Sequence, residues 1–171
     1  MKRSANLLLL ALLGTLAPAF AAQPSGLRPV KPDVIAEAGR SCANSVSSNG
    51  VDEQRLRADG WSEGTLQSKG KEAASPLRFF GRAGTMLLLT REEGRPAGGS
   101  CVVMASIKST KHYPQVVEAM TAALGGSASK AKDGSVMWLL DGGKAAQMAP
   151  TGSNEKPSVR IVVVFVSGKK E

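Results

Sequence analysis

Very few side chains in this sequence are of a type that does chemistry. Among its 171 residues there is one histidine, His112, and there are two cysteines, Cys42 and Cys101. Serine and lysine recur at the S-x-x-K spacing that penicillin-binding enzymes use to set a lysine beside a nucleophilic hydroxyl. The pairs are Ser68/Lys71, Ser127/Lys130, Ser129/Lys132, Ser153/Lys156 and Ser167/Lys170. All five lie in polar segments, none opens an apolar helix that would aim the hydroxyl at a buried lysine, and the companion motifs are missing. Carboxylates are no more suggestive. Glu92-Glu93 is flanked by Arg91 and Arg95 and reads as a solvated turn, while Asp133 and Asp141 each precede a glycine, which is turn chemistry.

His112 follows Lys108 and Lys111 and reads as a solvent-facing loop residue. Too few histidines and cysteines are present for a structural zinc site, and none stand at finger spacing. The glycine-lysine run from Gly64 to Lys71 has one spacer too many for a phosphate-binding loop and lacks the following Ser or Thr. No catalytic residue, metal or cofactor is assigned. The inventory favours a non-catalytic protein, with a small envelope hydrolase built from loop-borne Ser, His and acids as the alternative.

These residues must be positioned by a chain whose pattern is mixed. Apolar residues Val34, Ile35, Ala38, Cys42 and Val46 recur at helical spacing after Asp33, which is expected to cap the helix. Residues 52–58 suggest a short second helix stopped by Gly60, and residues 62–75 read as loop. Two strands, 78–81 and 85–90, are expected on either side of Arg82-Ala83-Gly84. A third, 101–108, has Cys101, Val103, Ala105 and Ile107 on one apolar face. Pro114 suits the first turn of another helix, whose stripe is Val116, Val117, Met120, Ala123 and Leu124 before Gly125-Gly126. Strands are predicted at 135–140 and 159–166, with a weaker one at 144–148.

This order predicts an α+β fold: a mostly antiparallel sheet of five to six strands, two or three packed helices and one disulfide. Residues 159–166 are apolar on both faces apart from Arg160, and such strands are buried on both sides. Helices and loops would cover the second face, or it would dock against a partner or a second copy.

The N-terminus carries an address. Lys2 and Arg3 precede an apolar stretch at residues 7–16, and Ala19-Phe20-Ala21 offers small residues at the −3 and −1 positions of a signal-peptidase site. Residues 1–21 therefore read as a signal peptide, 22–32 as an extended proline-containing leader, and 33–171 as a single domain. No run in the mature chain is long enough to span a bilayer as a helix. A periplasmic or extracellular location makes a Cys42–Cys101 disulfide the economical reading of two cysteines. The competing reading, a cysteine nucleophile served by His112, needs a thiolate and a protected environment.

Loss of Lys2 and Arg3 lowers the formal charge from +8 to +6. Arg78, Arg82, Arg91 and Arg95 gather around the first expected hairpin and offer a surface for anionic envelope components. Lys130, Lys132, Lys169 and Lys170 add charge in loop or tail segments, although no basic run exceeds two residues, as in a dispersed solubilising surface. Aromatic residues make up only 4%, too few for a base-stacking surface, so nucleic acid is not an expected partner. An envelope protein, an anionic envelope component and self-association are the expected partner classes.

Cys42 in a first helix, Gly60-Trp61, Cys101-Val102-Val103, Ala123-Leu124-Gly125 and Trp138 together resemble small exported bacterial proteins of uncharacterised function. The resemblance spans most of residues 33–141 and implies no activity and no functional residue.

Overall fold

Pro32 presets the backbone angle of a first helical turn, so helix α1 (Pro32–Ser45) begins earlier than the expected cap. Its N-cap is Lys31, which makes no side-chain bond. Asp33, predicted as the cap, instead stands in the first turn, where its carboxylate meets the positive end of the helix dipole. The computed structural model describes residues 27–65, 67–68, 71–72, 77–90 and 99–166. The signal segment, Arg91, Arg95, Lys169 and Lys170 lie outside these described residues.

The chain continues through a pair of two-residue strands, β1 (Val46–Ser47) and β2 (Gly50–Val51), to helix α2 (Glu53–Ala58). Asp52 caps α2 by accepting the Arg55 N–H at 3.0 Å. Next come β3 (Ser62–Gly64), the small hairpin β4 (Gln67–Ser68) and β5 (Lys71–Glu72), then β6 (Leu77–Arg82) and β7 (Thr85–Thr90). Ala83 and Gly84 both take positive φ, the left-handed pair that a two-residue hairpin turn requires. After β8 (Ser100–Ser106) a 3-10 turn leads into α3 (Tyr113–Leu124), followed by β9 (Ala128–Lys130), β10 (Val136–Leu140), β11 (Lys144–Gly152) and β12 (Pro157–Phe165).

Eight of these strands form one antiparallel sheet in the order β3-β6-β7-β8-β12-β11-β10-β9. The fold is the expected α+β class, with more strands than the five to six predicted. The surplus is at the edges, where β3 and β9 are three residues long and wholly exposed. Short polar strands such as these carry no hydrophobic alternation, and they blunt the sheet edges against foreign strands. The leader also contributes more than expected. Pro29 bridges Ser106 in parallel, and the Val30 N–H donates to the Ser106 carbonyl at 3.0 Å.

Helices α1 and α3 pack together on one face of the sheet. Small residues on α1 permit this closeness: a Cβ on Gly39 would meet Met120 Sδ and Cε at 2.7 Å. Their shared core takes alternate residues of every central strand, including Phe80, Leu87, Val103, Ile161, Met148 and Trp138. Polar clamps fix the layer. The Trp138 indole N–H donates to Thr121 Oγ1 at 3.0 Å, and Thr121 in turn donates to the Val117 carbonyl at 2.8 Å. Lys144 Nζ donates to the Ala43 carbonyl at 2.7 Å, placing a cation at the negative end of α1. Among the described residues, no helix is long and apolar enough to cross a membrane.

Cys42 and Cys101 form the expected disulfide, joining α1 to β8 with Cα atoms 5.7 Å apart. Both cysteines are fully buried. The closed loop spans 59 positions. Replacing both cysteines with alanine is therefore expected to lower the unfolding free energy by about 4 kcal/mol. Guanidinium denaturation measures it; a loss below about 1 kcal/mol would contradict the chain-entropy account. Thr121→Val strands the buried Trp138 N–H and should cost about 1–3 kcal/mol in the same assay.

Candidate functional site

The arginines predicted as an anion-attracting surface sit on β6, with Arg78, Phe80 and Arg82 all turned toward the helix side. Three acids from other elements come to meet them. The Arg78 guanidinium pairs with Glu53 of α2 and Glu63 of β3, donating from Nε to Glu63 Oε1 at 2.9 Å. Arg57 of α2 donates to the other oxygen of Glu63 at 2.8 Å. Both guanidiniums lie near the Phe80 ring, at 5.5 and 5.6 Å from its centroid. Arg82 donates to Glu37 of α1 at 2.8 Å and to the Asp59 carbonyl at 2.7 Å, lying over the Trp61 ring.

Three guanidiniums thus face three carboxylates, and the charge of the cluster is balanced within it. Its chemistry is that of a lock: it ties α1, α2 and β3 to the strand at the flank of the sheet. Arg78 and, after it, Arg57 hold the Glu63 carboxyl below its usual range by hydrogen bonding to its charged form.

His112 is half-buried rather than free in solvent, and its Nδ1 meets Ser109 Oγ at 2.8 Å. Among the described residues no carboxylate meets the other ring nitrogen, so nothing orients this pair as a nucleophile and base require. Asp133 accepts the Ser135 N–H at 2.9 Å and its hydroxyl at 2.7 Å, which is the expected turn chemistry. Ser153 Oγ accepts the Lys156 N–H at 3.1 Å, so that S-x-x-K pair closes a turn. Ser129 and Lys130 lie on the exposed edge strand β9. Among the described residues, no three His, Cys, Asp or Glu side chains gather as a metal site would need.

The larger feature is the other face of the sheet. Because the helices stand on one side only, the alternate residues of the same strands point away from them. In register across β6, β7, β8, β12, β11 and β10 run Phe79, Leu88, Val102, Val162, Gln147 and Met137. Beside that row lie Gly81, Met86, Met104, Arg160 and Ala149, and on its other side Ser100, Val164, Ala145 and Leu139. Met137 is 47% exposed and Leu139 77%, while Phe79, Met86, Leu88, Val102, Met104, Val162 and Val164 are half-buried.

Strand spacing makes the patch about 24 Å across and about 14 Å along the strands. Apolar patches of this order commonly mark an interaction surface. The double-faced apolar pattern of residues 159–166 allowed either a second face covered by helices and loops or one that docks, and among the described residues no helix covers it. Which strands would adjoin, and which face the helices would leave open, had no local signal.

No protein-family model, curated protein or solved structure matches the chain.

Since Glu63 has a lower pKa in the native state than its ordinary 4.5, the native protein binds fewer protons there than the unfolded chain. Its contribution is complete above that ordinary value and drains away as pH falls through the native one. Glu63→Gln should therefore flatten the loss of stability below about pH 5, as read from denaturation midpoints across an acid series. An unchanged acid limb would remove Glu63 from the account.

Proposed function

We propose that this chain is an exported, non-catalytic binding module of the bacterial cell envelope that engages its partner through the outer face of the sheet. The observation that carries the reading is the run of outward apolar residues, continuous over six strands and left open by both long helices. Solvent contact with that much apolar surface is unfavourable, and covering it is a source of binding free energy. Export is supported by the signal-like segment at residues 1–21 and by a buried disulfide, a bond typical of oxidising compartments. The hydrolase alternative has one observation in its favour, the Ser109–His112 contact.

The test is affinity capture from the native envelope at low salt, comparing the wild type with a Val102→Lys/Val162→Lys variant. Both side chains point outward but stand opposite each other in register, so the two lysines repel and the variant is first shown to be folded by its thermal melt. The wild type is expected to retain a partner that the variant loses, and its mature N-terminus is expected to be Ala22. Retention by both proteins, or by neither, would overturn the docking reading. An N-terminus that still carries residues 1–21 would overturn export.

A further inference from the structure

Among the described strand residues the outer face carries one charge, and that charge says what must cover it. Arg160 stands on β12 in the middle of the sheet, between Met104 of β8 and Ala149 of β11 in register. It is exposed, and among the described residues it has neither an ion pair nor a hydrogen-bonded side-chain partner. No aspartate or glutamate is among the described outward side chains of the face. Covering an unpaired guanidinium with apolar surface is strongly unfavourable, whereas a hydrogen-bonded carboxylate offsets much of that penalty. The occupant must therefore bring an acid.

That condition separates the occupants. A second copy would bring another Arg160 and, among the described residues, no acid on the same face, so a two-fold interface would confine two like charges without relief. A lipid surface is normally met by apolar residues ringed with lysine or arginine. Here the described outward side chains bordering the patch include the hydroxyls of Ser106, Ser158 and Thr151 at one end and of Ser62 and Ser129 at the sides, and none of the paired strand residues there is a lysine or arginine.

A protein segment fits better. The same sheet already carries α1 and α3 on its opposite side, and a face about 24 Å wide accommodates a helix of about 10–12 Å diameter. Met86, Met104 and Met137 supply unbranched thioether side chains that mould to a helix surface, as at other helix-binding grooves.

We propose that the outer face receives an amphipathic helix of another protein whose apolar stripe carries one Asp or Glu to pair with Arg160. This rests on the docking reading above and adds to it the chemistry of the partner.

The experiment places p-benzoyl-phenylalanine at Met86 or Met137 of the full-length protein in the bacterium that makes it. A control places it at Glu118 on the exposed side of α3. After irradiation, adducts are mapped by mass spectrometry. The expected product is a segment of a different protein, apolar at helical spacing, with Asp or Glu within a turn of the linked residue. Arg160→Glu and Arg160→Gln, shown to be folded by thermal melting, should each lower its yield about tenfold. Exchanging the partner's acid for Arg should restore the yield with Arg160→Glu.

Adducts to phospholipid, to a second copy or to an acid-free segment, or a yield indifferent to Arg160, would overturn this proposal and leave the docking reading standing. No adduct at Met86 or Met137 above the Glu118 control would overturn both.

Discussion

The bond between Cys42 and Cys101 fixes where α1 lies, and the remainder of the inner layer follows from that placement. It ties the middle of a helix made of small residues to the start of a central strand, with both sulfurs in the dry interior. Once α1 is held there, Gly39 brings α3 close enough for Met120 to fill the gap, and Trp138 closes under α3 through Thr121. Lys144 reaches the end of α1 from the start of β11. Two helices so tightly joined occupy one face of the sheet, and among the described residues no helix lies on the opposite face.

Electrostatics divides the molecule in a similar way. On the helix side, the guanidiniums of Arg57, Arg78 and Arg82 are matched by Glu53, Glu63 and Glu37 and steadied by aromatic rings. On the open side, among the described residues, the Arg160 guanidinium stands beside Met104 and Ala149 without a counter-ion. Net charge alone would have assigned the basic character of the chain to a diffuse attraction for anions. The pairing pattern shows that Arg78 and Arg82 serve internal contacts, and that an unmatched arginine stands at a defined point, Arg160.

Much of the framework could be read from local pattern. Cys42 on a helical stripe and Cys101 on the apolar side of an alternating strand both pointed inward, and the two meet. The short second helix, the proline start of α3 and the turn role of Asp133 were equally local, whereas the cap expected at Asp33 was not found and Asp52 caps α2 instead. Other features were not. Arg78 and Arg82 looked free because their acids lie 15, 25 and 45 positions away in the chain. Strand β11 was expected to stop near Met148, yet it runs through Pro150 to Gly152. Strand β10 pairs only as far as Met148, so the missing N–H of Pro150 falls where no neighbour on that side needs it. Strands β3 and β9 have no periodicity at all and exist because a neighbour offers them a ladder.

The position of β12 has a consequence for how the molecule comes into being. The last strand in the chain is the fifth across the sheet, lying between β8 and β11. On one side are strands made before α3 and on the other strands made after it, and β12 alone pairs with both groups. Until Pro157–Phe165 emerges, the two halves share no backbone ladder, and the floor beneath α1 has a gap along its middle.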